Sequence, residues 1–164
     1  MTTPRRLTLL RHGHAEVSAP GGDHDRALDE IGHAEVTAAA AALALFEKPT
    51  RLLVSTARRT RETAQILIQT LALHATPIEH LPELYLASAA SLRRVIDEQP
   101  DDVTHLCLIG HNPGLSDFVF EALAAGPQRD SYRGLATAGW ASWRFTAAHW
   151  QAFAPDASYA ITHS

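Results

Sequence analysis

Short apolar runs alternate with longer amphipathic stretches along this chain. Leu7-Thr8-Leu9-Leu10 is a compact apolar run that stops at Arg11-His12-Gly13 and reads as a buried strand with a polar triplet past its carboxyl end. Pro20-Gly21-Gly22-Asp23 reads as a loop. Asp29 is placed to cap an alanine-rich helix running to about Phe46 and closed by Lys48-Pro49. Arg51 to Ser55 is a second strand, followed by a helix with Ala64, Leu67, Ile68 and Leu71 on one face. Pro77 to Leu81 reads as a short strand, with Glu83-Leu84-Tyr85 in the connection after it. A helix then starts at Ser88 or Ser91, turns Leu92, Val95 and Ile96 inward, and breaks at Gln99-Pro100. Leu106 to Ile109 is a third clear strand, ending at Gly110-His111-Asn112. Pro113 suits the first turn of the next helix, which buries Phe118, Val119, Ala122 and Leu123. Ala141, Trp143 and Phe145 alternate as one face of a later strand, and the tail from Ser158 to Ser164 reads as a short edge strand.

Strands that alternate with helices predict an α/β fold: a three-layer α/β/α sandwich with a mostly parallel central sheet. At 164 residues the chain fits one domain, 1–164. In such sheets ligands bind beyond the carboxyl ends of strands. Three polar clusters fall there: Arg11-His12-Gly13, Ser55 to Arg61, and Gly110-His111-Asn112.

Composition narrows the function. With 46% hydrophobic and 20% charged residues the chain can build a core, and its net charge of −4 argues against nucleic acid as a partner. Cys107, the single cysteine, cannot pair within the chain, which fits a reducing compartment, and its strand-like setting makes it a buried thiol rather than a nucleophile. The basic start meets Arg11 too soon for a signal peptide, and the Ala38 to Phe46 stretch is too short to span a bilayer. The expectation is a cytoplasmic protein with no membrane partner.

Brought to one rim, the three clusters supply two imidazoles and several guanidiniums. A guanidinium is planar, charged and forked, which matches tetrahedral oxyanions such as phosphate. A neutral imidazole nitrogen can attack phosphorus to form a phosphoramidate. Arginines and a second histidine would then balance charge on the equatorial oxygens of the transition state. Gly13 is expected to remove a side chain where the backbone approaches the anion.

Leu10-Arg11-His12-Gly13 resembles the L-R-H-G signature of the histidine phosphatase superfamily, the fold shared with cofactor-dependent phosphoglycerate mutases. Asp25-Arg26-Ala27-Leu28 with Gly32, Ser55 to Ala64, and Ile109-Gly110-His111-Asn112-Pro113-Gly114 resemble three further motifs of that family, in order. The likeness runs from about residue 7 to 124 and more weakly to about 146. Pro82 to Ser88 and the short chain are similar to the small SixA-like phosphohistidine phosphatase branch.

The resemblance implies that His12 is the nucleophile, that Arg11 and Arg59 bind phosphoryl oxygens, and that His111 donates to the same group. Gly13, Ser55, Asn112 and His14 are the further substrate-binding candidates. Counting four residues from Ser55 selects Arg59, whereas a shifted register selects Arg58. Thr56, Thr60 and Glu62 depart from the family pattern, and the Asp25-Arg26-Ala27 stretch lacks its proline. Glu83 lies where larger members place a general acid; its other reading is a carboxylate that caps a turn or pairs with a pocket arginine.

His12-Gly13-His14 also has the H-x-H spacing of some metal hydrolases. The barrels that use it need about 250 residues, and Glu16-Val17 stands where a metallo-β-lactamase pattern continues with D-H, so no metal is expected. His14 is read as a rim residue, and Arg26 as an anchor of its loop. His24, His33, His74, His80, His105, His149 and His163 are read as surface or packing residues, with the cavity mouth as a second reading for His24. Arg58 and Arg61 are read as a solvated helix face or as charge behind the pocket, and the three tryptophans as core and hydrophobic edge.

The expected reaction is hydrolysis of a phosphomonoester or phosphoramidate in two steps through His12, with no metal or organic cofactor. The leading substrate is a phosphohistidine-bearing protein, followed by a small phosphorylated metabolite. A phosphate-binding sensor or scaffold is the reading from another class. A mutase is disfavoured, because it needs a longer enclosing segment.

Overall fold

The computed structural model describes residues 1–154 and 159–161. Six strands form one sheet: β1 (Thr3–Arg11), β2 (Arg51–Ser55), β3 (Ile78–Leu81), β4 (His105–Gly110), β5 (Trp140–Ala147) and β6 (Tyr159–Ile161). Their order across the sheet is β3-β2-β4-β1-β5-β6. The first four run parallel, while β5 lies antiparallel to β1 and β6 antiparallel to β5. The predicted tail strand is therefore present over Tyr159–Ile161; Ser158 and residues 162–164 lie outside the described residues.

Alternation along the strands separates two cores. Leu7, Leu9, Leu53, Leu106 and Leu108 face one side, where they meet α3 (Ala89–Asp97) and α4 (Gly114–Ala122) through Leu92, Val95, Ile96, Leu115, Phe118 and Val119. Leu10, Leu52, Val54, Cys107 and Ile109 face the other side, against α1 (Glu30–Leu43) and α2 (Arg58–Leu71) through Val36, Ala40, Leu43, Ala64, Leu67 and Leu71. This is the expected α/β/α sandwich. Central parallel strands are covered on both faces, which is why β4 is buried at every position. Apolar alternation on β5 is confined to its second half, because residues 140–143 are buried on both sides. A short helix, α5 (Pro127–Ser131), precedes β5.

Local chemistry sets most boundaries. The Asp29 side chain accepts from the Gly32 amide at 2.9 Å, and the Ser88 side chain, not that of Ser91, caps α3. Helix α1 ends at Leu43, earlier than the sequence pattern suggests. Beyond it the amides of Leu45 and Phe46 bond to Ala42 and Leu43, tightening the chain to i,i−3 spacing. Strand β3 is the exposed edge of the sheet, which explains its weak apolar signal.

Candidate active site

The sheet order brings the sequence clusters together. β4 inserts between β2 and β1, and its last residue, Gly110, pairs with Arg11, the last residue of β1. His12 and His111 are each the next residue, so both imidazoles leave neighbouring parallel strands at the same carboxyl edge. The His12 amide donates to the Gly110 carbonyl at 3.2 Å and its carbonyl accepts from Ala138, which fixes the backbone on both sides. The ring centroids stand 5.2 Å apart, tilted by 58°. Ser55 ends β2 alongside, and α2 starts three residues later, setting Arg59 in its first turn.

Arg59 is 1% exposed and touches both rings. Its Nε donates to His12 Nε2 and its Nη2 to His111 Nδ1, each at 3.3 Å. Arg58 is exposed and pairs with Glu62 at 2.8 Å, so the count from Ser55 selects the arginine that faces the rings. Arg61 is exposed as well.

Partner chemistry fixes both tautomers. His12 Nδ1 lies 2.7 Å from the Gly13 carbonyl oxygen, which can only accept, so Nδ1 carries the proton and Nε2 keeps its lone pair. Arg59 can only donate, so His111 Nδ1 accepts, and His111 Nε2 donates to Ser55 Oγ at 2.8 Å. Burial pushes the His12 pKa down to about 4; the Gly13 carbonyl opposes the shift, and Arg59, Arg11 and Arg26 add to it. Burial is also the main cause that takes His111 down to about 3, with His12 and Arg59 contributing. Both rings are neutral at physiological pH, the state a nitrogen nucleophile requires.

The rings open into a cavity of about 360 Å³ lined by Arg11, His12, Asp23, Arg26, Arg59 and His111, with His14, Leu86, Asn112 and Thr137 at its border. Arg11 donates from Nη1 to the Leu135 carbonyl at 2.9 Å, while its buried Nε has no hydrogen-bond partner. Arg11 also lines the cavity, so its positive charge acts on any anion held there. Arg11, Arg26 and Arg59 outnumber Asp23 among the charged lining groups, so the cavity attracts negative charge.

Of the other expected site residues, Ser55 stands behind the cavity, while Asn112, His14 and Arg26 belong to its lining. Ser55 is fully buried and holds the His111 ring. Asn112 spends its amide on the Leu135 carbonyl and the Ser116 hydroxyl, at 2.8 and 2.7 Å, which pins the loop that positions Arg11. His14 stands at the rim with Nδ1 against Asp29. Arg26 anchors its loop through Asp23 and the Glu16 carbonyl while also lining the cavity.

Gly13 requires a correction. A Cβ there would stand 2.6 Å from Val36 Cγ2 and 2.7 Å from the Gly32 carbonyl oxygen, and a Cβ on Gly32 only 1.9 Å from the His14 carbonyl oxygen. The two glycines permit α1 to cross closely over the end of β1, and the Gly13 amide donates to Thr63 Oγ1 at 3.3 Å. Its lack of a side chain serves this helix packing, a role the sequence did not show, and Gly13 is not among the residues lining the cavity.

Glu83 is exposed on the one-turn helix Pro82–Leu84 and is not among the residues lining the cavity. Tyr85, two residues later, reaches the site instead: its hydroxyl donates to Asp23 Oδ2 at 2.5 Å and its ring meets His111 edge-on at 5.4 Å. Asp23, Tyr85, Glu35 and Thr137 carried no readable role in the sequence. Asp23 lay in what reads only as a loop, and Glu35, which accepts from the His14 amide and the Thr137 hydroxyl, lay on a solvated helix face. His24 bonds to Thr56 and packs against Tyr85, outside the cavity lining. His105 is buried at the start of the central strand β4, with Nε2 2.9 Å from Thr8 Oγ1, the packing role expected of it. His33, His74, His80 and His149 are exposed, and His163 lies outside the described residues. Cys107 is fully buried, and burial pushes its thiol up to about 12, which removes it as a nucleophile.

A mostly parallel α/β sandwich with two imidazoles and a buried guanidinium converging at its carboxyl edge defines a phosphate-handling enzyme fold. Residues 7–112 match the family model of the histidine phosphatase superfamily, branch 1. The chain belongs to that superfamily, and the match supports a phosphatase. Solved structures agree. A protein of Agrobacterium tumefaciens provisionally assigned as the phosphohistidine phosphatase SixA shares 33% identity over 85% of this chain and 91% of its own, with a TM-score of 0.75. The protein histidine phosphatase SixA in complex with tungstate shares 26% identity over 84% of this chain and 86% of its own, with a TM-score of 0.67. A second protein provisionally assigned as SixA, from Nakamurella multipartitia, superposes over 98% of this chain and 96% of its own with a TM-score of 0.82; at 24% identity it supports the fold alone. No curated protein matches the chain. Among the described residues, no helix is long and apolar enough to cross a membrane.

Proposed function

We propose that this protein hydrolyses phosphoramidates or phosphomonoesters through a covalent phosphohistidine on His12, with phosphohistidine on a protein as the leading substrate. The observation that carries this reading is the shared fork: Arg59 Nε and Nη2 point at His12 Nε2 and His111 Nδ1, each 3.3 Å away, across one cavity. A phosphoryl group between the rings would compete with the imidazoles for the Arg59 fork, meet the Arg11 guanidinium in the cavity wall, and be served by a proton taken up on His111 Nδ1.

In the first step the His12 Nε2 lone pair forms the P–N bond while the bond from phosphorus to the leaving group breaks. A protonated phosphoimidazole departs with that electron pair as a neutral ring that keeps the proton it already carried, whereas an ester departs as an oxyanion and takes its proton from solvent. Water then attacks phosphorus, the P–N bond breaks, its electron pair returns to Nε2, and the water proton leaves with phosphate or solvent. Neither step calls for a metal.

Leaving-group chemistry supports the substrate choice. Asp23 is the carboxylate in the cavity lining, and hydrogen bonds from Tyr85 and Arg59 hold it well below the usual carboxylate range, so it has no proton to give. A protonated phosphoimidazole leaves as a neutral ring and needs no general acid, whereas an alkyl phosphate does. The cavity also opens to solvent beside Leu86 and His14, both exposed, which leaves room for a polypeptide.

Incubation with p-nitrophenyl phosphate or phosphoramidate, quenched in alkali, tests the reading. A base-stable, acid-labile phosphoenzyme is expected, and His12→Ala should remove it and lower turnover by roughly 10³-fold or more. Phosphate binding without phosphoenzyme or turnover would favour a sensor instead. Turnover screening against phosphohistidine proteins and phosphorylated metabolites separates the two substrate classes.

A further inference from the structure

Arg59 is held on two sides, and the two sides differ. A guanidinium offers a side-on fork from Nε and one Nη2 hydrogen, and an end-on fork from Nη1 and the other Nη2 hydrogen. The side-on fork meets the two imidazoles. The end-on fork is gripped by one residue: Nη1 donates to the Asp23 carbonyl at 2.7 Å, and Nη2 donates to Asp23 Oδ2 at 3.0 Å. Asp23 is itself fixed, because Tyr85 donates to Oδ2 and Arg26 Nε donates to Oδ1 at 2.9 Å.

We propose that Asp23 is a positioning residue for phosphoryl transfer: by gripping the far edge of Arg59 it aims the near edge at the phosphoryl group bound between His12 and His111. This rests on the functional reading above. A long arginine stem has rotamer freedom that must be removed before the fork can serve a transition state, and a charge-assisted pair on the edge away from the anion removes it beforehand. Asp23 also lines the cavity, so a competing role exists, that of a resident anion which the substrate must displace. The geometry points away from it. Both Asp23 contacts use the end-on fork, so a bound phosphoryl group would compete with the imidazoles, and not with Asp23, for the side-on fork. The two roles give opposite signs.

The test is a double-mutant cycle on the full chain, comparing wild type with Asp23→Ala, Arg59→Ala and the double variant. Turnover of p-nitrophenyl phosphate and inhibition by orthovanadate and inorganic phosphate are the readouts. Asp23→Ala is expected to lower kcat and weaken vanadate binding by about tenfold with a smaller change in KM, and to have almost no further effect once Arg59 is alanine. Asp23→Asn keeps the backbone carbonyl and a side-chain oxygen, so it should recover most of the loss, while Tyr85→Phe should show part of it. Because Asp23 lies on an exposed turn, the thermal midpoint should stay near wild type and separate aiming from folding. Tighter phosphate or vanadate binding in Asp23→Ala would show that the carboxylate is an occupant and overturn the proposal. An equal loss with and without Arg59, or no loss, would overturn it too. Failure of the functional reading has a different signature: His12→Ala and Arg59→Ala would then leave turnover intact.

Discussion

Burial keeps two charged-capable rings neutral at the centre of this site, and that has measurable consequences for single residues. In the proposed mechanism His12 attacks as a neutral base, so its pKa of about 4 would set the acid limit of the free enzyme. The acid limb of kcat/KM, corrected for substrate ionisation, should therefore fall near pH 4 and not near 6.5. His111 is neutral in the free protein, and in the proposed mechanism it would donate to a bound oxyanion, since a dianion in the cavity favours its charged form. At a pH where phosphate is dianionic, binding should take up a proton, read as buffer-dependent heat in calorimetry, and His111→Ala should abolish the uptake. The adjacent arginines should separate cleanly. Arg59→Ala is expected to reduce kcat/KM by about 10²-fold or more, whereas Arg58→Ala, at an exposed helix position, should leave it near wild type. Arg11, His12 and His111 were legible because each sits just past or at the end of an apolar strand, and Arg59 by its count from Ser55. Asp23 and Tyr85 were not, since their roles arise from contacts between loops far apart in the chain, which leave no periodic trace.

At the scale of elements, the crossing of α1 over β1 decides where the nucleophile sits. Gly32→Ala would place a methyl 1.9 Å from the His14 carbonyl oxygen, so backbone must move. We expect a loss of about 2 kcal/mol or more in denaturant unfolding, with reduced kcat because His12 adjoins the displaced strand end. Ala72, which ends α2 in the left-handed region at φ 53°, offers the opposite case. Ala72→Gly should stabilise the protein by about 0.5–1 kcal/mol without touching activity, because glycine reaches that conformation without strain. Helix starts at Asp29 and Ser88 were readable from capping chemistry. The end of α1 was not, because alanine continues a helix as readily as it lets one tighten, and neither Leu45 nor Phe46 carries a stop signal.

For the whole molecule, the sandwich was legible because apolar runs of strand length alternate with helical periodicity. The insertion of β4 between β2 and β1 was not, since strand order depends on pairing that no local pattern encodes. Acid stability also belongs to this scale. His12, His105 and His111 sit buried and neutral, with pKa values of about 4, 4 and 3. An unfolded imidazole takes its proton near pH 6.5, well before these do. Their contribution is thus complete above that pH and is lost as pH falls toward 4. Urea midpoints measured from pH 7 to 4 should decline steadily, and a flat profile would contradict the buried neutral rings.

The strand order also governs when the protein can become active. During synthesis the ribosome releases His12 first, and Arg59 follows, but the slot between β1 and β2 stays empty until β4 emerges. A nascent or truncated chain that stops short of residue 105 holds Arg11, His12 and Arg59 but lacks His111. Such a fragment should be inert toward phosphorylated compounds, so activity in a cell extract reports chains whose central strand has been threaded into place.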